Sequence, residues 1–150
     1  MKKIISILFM IIITPVILLS QDINVQNLIG KKKAEVIKKY GNPVYQDNSN
    51  PSMVCIFYKS SSHSMTFVAD KEGVYQAEAL VSYTNEPDAR SAINKFISGS
   101  ITSGFTADTV SVKEFRLQKP GVKVELQMSE NTQLKKFEVK VKAVKHGSLS

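Results

Sequence analysis

A helix with both of its ends written into the chain limits the fold more than any other stretch of this sequence. Between Leu28 and Val44, Ala34, Ile37 and Tyr40 fall along one side of a helical turn with Val36 flanking them, and Glu35 stands four residues before Lys39 on the wet side. Gly41 can adopt the positive φ that closes a helix. Asn42-Pro43 then prevents its resumption, because proline removes an N–H donor and drives its predecessor out of the α region. Gly30 is an acceptable N-cap, but Lys31, Lys32 and Lys33 set cations against the positive end of the helix dipole. At about three turns the helix is too short to persist alone in water, so it must lay its apolar side on another layer.

That layer is written downstream. Residues 46–52 read as a turn-rich loop, and residues 53–59 are rich in β-formers. Met65, Phe67 and Ala69 alternate with polar partners, and Tyr75, Ala77, Ala79, Val81 and Tyr83 take every second position, with reversals at 60–63 and 70–73. The order then repeats. Asn85 can cap a second helix, Pro87 suits its first turn, Glu86 and Asp88 favour its positive end, and Ala89, Ile93, Phe96 and Ile97 form its stripe. Strands follow over 109–117, 122–128 and 137–143, with turns at 119–121 and 129–132. The spacing therefore predicts an α+β chain of two helix-then-three-strand units, residues 28–84 and 85–145, repeating at somewhat under about 60 residues. The helices would pack on one face of an antiparallel sheet or sheets. The residue identities of the halves do not match, so the repeat is one of architecture.

Ile29-Gly30, then Glu35-Val36, then Gly41-Asn42-Pro43 resembles the short motif of the β-lactamase-inhibitory-protein-like superfamily, a glycine, a helix carrying a valine, then glycine and proline. That group includes small outer-membrane-assembly lipoproteins and secreted enzyme inhibitors. The resemblance implies helices against an antiparallel sheet. The chain lacks the lipid-attachment cysteine of the first kind and the disulfide cysteines of the second.

Lys2 and Lys3 followed by the apolar run 4–19 have the layout of a secretory signal peptide over residues 1–20, with cleavage expected after Ser20. The alternative is an uncleaved anchor, but the run falls short of the roughly 20 residues a span needs, and Thr14-Pro15 interrupts it. Removing the leader takes Lys2 and Lys3, so 20 basic residues become 18 against 13 acidic ones and the formal charge falls from +7 to +5. Residues 21–145 then suit a single exported domain, periplasmic or secreted, with 146–150 as a flexible tail and no transmembrane span after signal removal. A lone cysteine cannot form an internal disulfide, and Cys55, inside an apolar run, reads as a small buried hydrophobe rather than a nucleophile or an intermolecular bridge.

No residue set names a reaction. A hydrolase would have to use His63 with Ser62, Ser64 or Asp70, but no nucleophile-elbow motif accompanies them and a serine-rich reversal is ordinary hairpin content. His63 and His146 stand 83 positions apart with no Cys pair or spaced carboxylates beside them, so no metal site is expected. Asp70 with Glu72 belongs to a turn, and Glu86 with Asp88 opens a helix. Residues 99–104 follow a helix and lack the lysine of a phosphate loop, so no cofactor is expected either.

The basic residues carry what functional signal remains. Lys136, Glu138, Lys140 and Lys142 share the face opposite the apolar set of the last strand, and Lys123, Glu125 and Gln127 do the same one strand earlier. One side of this hairpin is expected to be cationic and wet, serving solvation and edge protection or meeting an anionic partner, with salt-sensitive binding. Lys31, Lys32 and Lys33 beside the 46–52 loop form a second candidate surface. Export and the lack of a basic-aromatic ladder argue against nucleic acid. The expectation is an exported, non-catalytic binding module for a protein or an anionic envelope partner. An envelope structural or assembly factor and a His63 hydrolase are the alternatives, and the oligomeric state is left open.

Overall fold

The structure, a computed structural model, describes residues 22–147. The leader expected over 1–20 and the end of the expected tail lie outside them. A short 3-10 turn at Val25–Leu28 leads into α1, Lys33–Tyr40. The meander β1 (Tyr45–Asp47), β2 (Val54–Lys59), β3 (His63–Ala69) and β4 (Val74–Tyr83) follows. Helix α2, Glu86–Thr102, opens a second meander of β5 (Thr106–Ser111), β6 (Glu114–Lys119), β7 (Val122–Asn131) and β8 (Lys136–Lys145).

All eight strands belong to one antiparallel sheet in the order β1-β2-β3-β4-β8-β7-β6-β5. This corrects the expected α+β pair of helix-then-three-strand units. The described residues are β-dominated, 46% strand against 23% helix, and each α-helix precedes four strands. The two meanders merge because β4 and β8 pair from Gln76↔Val144 to Tyr83↔Phe137. Separate units would have left these apolar strands as open edges, exposing both side chains and backbone donors.

One face of the sheet is the core. Ile56, Met65, Phe67, Ala77, Ala79, Val81, Val124, Leu126, Val139, Val141 and Ala143 are buried on it. The 3-10 turn packs across β4 and β8, burying Val25 and Leu28. Helix α2 adds Ala89, Ile93 and Phe96 from the expected stripe, and its start is fixed as the sequence implies, with the Asn85 side chain accepting from the Asp88 N–H. Helix α1 covers β2 and β3 differently from the expected register. Val36 is buried and Tyr40, one turn on, lies over Phe67 and Tyr58 at 5.6 and 5.7 Å between ring centroids, while Ala34 is exposed. The i,i+4 pair Val36 and Tyr40 faces the sheet because Tyr40 has an aromatic partner there and Ala34 has little area to bury.

Gly41 ends α1 at φ 80°, ψ −162°, and its carbonyl accepts from the Tyr58 hydroxyl at 2.8 Å. Gly73 has a less visible role. At φ 138° it lets the chain before α1 lie against the start of β4, where Gly30 N–H donates to the Val74 carbonyl at 2.7 Å and Val74 N–H to the Lys31 carbonyl at 2.8 Å. A Cβ on Gly73 would come within 2.8 Å of the Lys31 oxygen.

Candidate functional site

With the helices all on one face, the other face of the sheet is left uncovered, and the strand registers arrange it in rows. One row crosses all eight strands, Tyr45, Phe57, Thr66, Glu78, Lys142, Glu125, Arg116 and Asp108, each directly opposite the next. Its β1 end is aromatic, Tyr45 stacking on Phe57 at 5.6 Å. From Glu78 to Asp108 it alternates in sign, so each charge has opposite-charge neighbours across the ladder. The Glu78 carboxylate lies 3.9 Å from Lys140 Nζ and 4.0 Å from Lys142 Nζ, and Arg116 reaches Glu114 on its own strand at 3.6 Å. A hollow of about 500 Å³ sits at the β5–β7 end of this face, with Thr106, Asp108, Arg116, Gln118, Lys123 and Glu125 among its lining residues.

The structure divides the sequence-predicted lysines into two groups. Lys123, Lys140 and Lys142 stand on the open face, with Lys136 on the same side opposite Asn131. Their surroundings are not cationic as expected. Glu78, Glu114 and Asp108 arrive from β4, β6 and β5 and join Glu125 and Glu138, already read on this face, because the register brings together strands whose charges the one-strand alternation could not combine. Lys31, Lys32 and Lys33 are elsewhere, beside the β3–β4 turn, where Lys32 Nζ donates to the Lys71 carbonyl at 2.8 Å. Sequence reasoning missed Tyr45, Phe57, Glu78, Arg116 and Asp108 as members of this face. The period-two pattern assigns each to a side of its own strand, but only the pairing registers bring them into one row.

His63 faces the core. It is 5% exposed, its Nε2 has no hydrogen-bond partner, and burial holds its imidazole below the usual histidine range against the opposing pull of the Asp22 charge and backbone. Asp22 is itself tied down. Burial works to raise its carboxyl, but hydrogen bonds from the Asn24 backbone and side chain, together with Lys39 at 3.3 Å, hold it below the usual carboxylate range. The Tyr40 hydroxyl also donates to Asp22, and burial with that contact raises its pKa. Ser64 points to the opposite face from His63, and Asp70 lies beyond the far end of β3, so the serine–histidine–aspartate arrangement considered for a hydrolase is not formed. Cys55 stands half-buried on the open face, beside Val68, and not in the core as expected. Among the described residues no group of three or more His, Cys, Asp or Glu is placed to hold a metal. Among them, too, no helix is long and apolar enough to cross a membrane.

No protein-family model matches the chain, and no curated protein matches it. Among solved structures it is similar to an extracellular protein containing an SCP domain from Bacillus anthracis, at 15% identity and TM-score 0.45, over 84% of this chain and 46% of that one. It is also similar to a cysteine-rich secretory protein from Staphylococcus aureus, at 10% identity and TM-score 0.44, over 79% and 45%. The chain thus spans less than half the length of either. The kinship expected with the β-lactamase-inhibitory-protein-like superfamily is not found: no family model matches, and the solved structures named are an SCP-domain protein and a cysteine-rich secretory protein. The motif behind that expectation covers only the stretch from Ile29 to Pro43 around one eight-residue helix, and any helix ending in Gly-x-Pro meets half of it.

Proposed function

We propose that this chain is an exported, non-catalytic binding module that engages a partner protein through the open face of its sheet. The observation that supports this most is the eight-strand row itself, in which stacked aromatics at one end pass into a ladder of alternating charges at the other. An aromatic anchor beside a polar, sign-patterned field is the composition of protein-binding surfaces, where aromatics carry affinity and charges fix register. Mixed sign on this face favours a protein over a uniformly anionic envelope surface. Export rests on the basic and apolar leader over residues 1–20.

The lysines beside the β3–β4 turn support a second reading, contact with the anionic envelope. Lys31 and Lys32 are exposed there, and Lys145 reaches Glu72 of the same turn at 3.7 Å, leaving this end of the molecule rich in cations.

The test compares Phe57→Asp and Glu125→Lys, both on the open face, with Ser91→Asp and Lys95→Glu on α2, each assayed for capture of partners from an extracellular or envelope fraction. The proposal expects the first pair to lose at least tenfold in binding and the second pair to be unchanged. Loss in the α2 pair alone contradicts it. Loss only on replacing Lys31 and Lys32 supports the envelope reading instead.

A further inference from the structure

The two edges of the sheet are not alike. β1 has three residues and follows Pro43, so it offers little backbone for another strand to pair with. β5 carries six residues, Thr106–Ser111, all of them exposed. None is lysine or proline, the residues with which natural edges repel an added strand. Among the described residues no strand lies along its outer side, so every second backbone N–H and C=O there points away from β6. The irregularity in its pairing lies between Thr109 and Ser111, at the hairpin end, and residues 106–109 keep regular register with β6.

The charge row identifies what would fit. Asp108 is its last member, with Arg116 opposite on one side and open edge on the other. Continuing the alternation places a cation on the next strand. A second copy of this chain does not supply one. Antiparallel self-pairing that keeps both open faces on the same side, centred on Asp108, sets two carboxylates against each other; centred on Thr109, it sets Asp108 against Val110 at the irregularity. On the helix side of β5, Ala107 and Thr109 are small and exposed and leave room for apolar side chains of an added strand.

We propose that the β5 edge accepts an extended segment of a partner protein as a ninth strand, carrying lysine or arginine opposite Asp108 and apolar residues on either side of it. Main-chain hydrogen bonds would hold the segment and Asp108 would select its register. This goes beyond the open-face proposal, since a strand can occupy the edge whether or not a partner covers the face.

The probe is the synthetic peptide Ser-Thr-Val-Lys-Val-Thr-Ser, titrated into the isotope-labelled protein and followed by amide shifts and amide exchange, beside the same peptide with Glu in place of Lys. The expected result is shifts and slowed exchange confined to residues 105–111, with the Lys peptide preferred. Asp108→Lys is expected to weaken the Lys peptide by about fivefold or more and to favour the Glu peptide. Shifts centred elsewhere, equal affinities of the two peptides, indifference to Asp108→Lys, or no shift at millimolar peptide while the spectrum remains that of the folded protein would each overturn the proposal.

Discussion

Glu78 on β4 stands directly opposite Lys142 on β8, across the junction that makes one sheet of two meanders, with its carboxylate 4.0 Å from Lys142 Nζ and 3.9 Å from Lys140 Nζ. The junction is held mainly by the apolar pairs on its other face, Ala77↔Ala143, Ala79↔Val141 and Val81↔Val139. The charges add register, because a slip of β8 by one residue would bury Lys140 and Lys142 and expose Val139, Val141 and Ala143.

Reversing that charge tests the register contribution. Glu78→Lys is expected to destabilise the protein by about 1 kcal/mol, a modest loss because these groups are partly solvated. Urea unfolding should show the loss shrinking in high salt, and adding Lys142→Glu should recover part of it.

The two faces of the sheet should differ sharply under truncation. Phe67 is fully buried between Tyr40 and Tyr58, so Phe67→Ala is expected to cost about 3–5 kcal/mol. Phe57, its near neighbour in β2–β3 but on the open face, touches Tyr45 at the edge, and Phe57→Ala is expected to cost about 1 kcal/mol. Comparable losses in chemical denaturation would mean that both faces are covered.

Glycine replacement separates two kinds of constraint. At Gly41 a Cβ meets nothing within 4 Å, so Gly41→Ala pays only for its backbone conformation, about 1–2 kcal/mol. At Gly73 the same change adds a clash with the Lys31 and Gly30 carbonyls at 2.8 and 2.9 Å, which would part α1 from β4. Gly73→Ala is therefore expected to be the more destabilising by thermal melting, and to increase amide exchange at Gly30 and Val74.

The buried histidine gives the protein an acid-sensitive step. His63 has its pKa lowered by burial, so below about pH 6.5 the unfolded chain binds a proton that the folded chain refuses. Stability then rises with pH in that window and is lost as pH falls through it, levelling only below the folded pKa. Asp22, lowered despite its burial, adds a second loss as pH falls further, below about 3.8 and through its own folded value. In unfolding measured from pH 7.5 down to about pH 2.5, His63→Gln is expected to flatten the first slope and leave the second.

What the sequence made legible was local. The α2 cap at Asn85, its stripe of Ala89, Ile93 and Phe96, the stop at Gly41 and the alternation of β7 and β8 all depend on near neighbours, and each stands as read. β1 was hidden because Tyr45–Asp47 is short and runs into turn residues. β5 and β6 read as one strand because their turn, Val112-Lys113, carries none of the glycine, asparagine or proline that marks reversals. The 3-10 turn at Val25–Leu28 is too brief to show a period, though it buries Val25 at the centre of the sheet. The candidate site was least legible, since Tyr45, Glu78 and Asp108 become one row only through pairings between residues far apart in the chain.

The central claim is that partners meet the open face and not the helical one. A photo-cross-linking residue placed in turn at Thr66 and Gln127 on the open face, and at Ser91 on α2, tests it in the presence of an extracellular or envelope fraction. The account predicts discrete adducts from Thr66 and Gln127 and none from Ser91; adducts from Ser91 alone would contradict it.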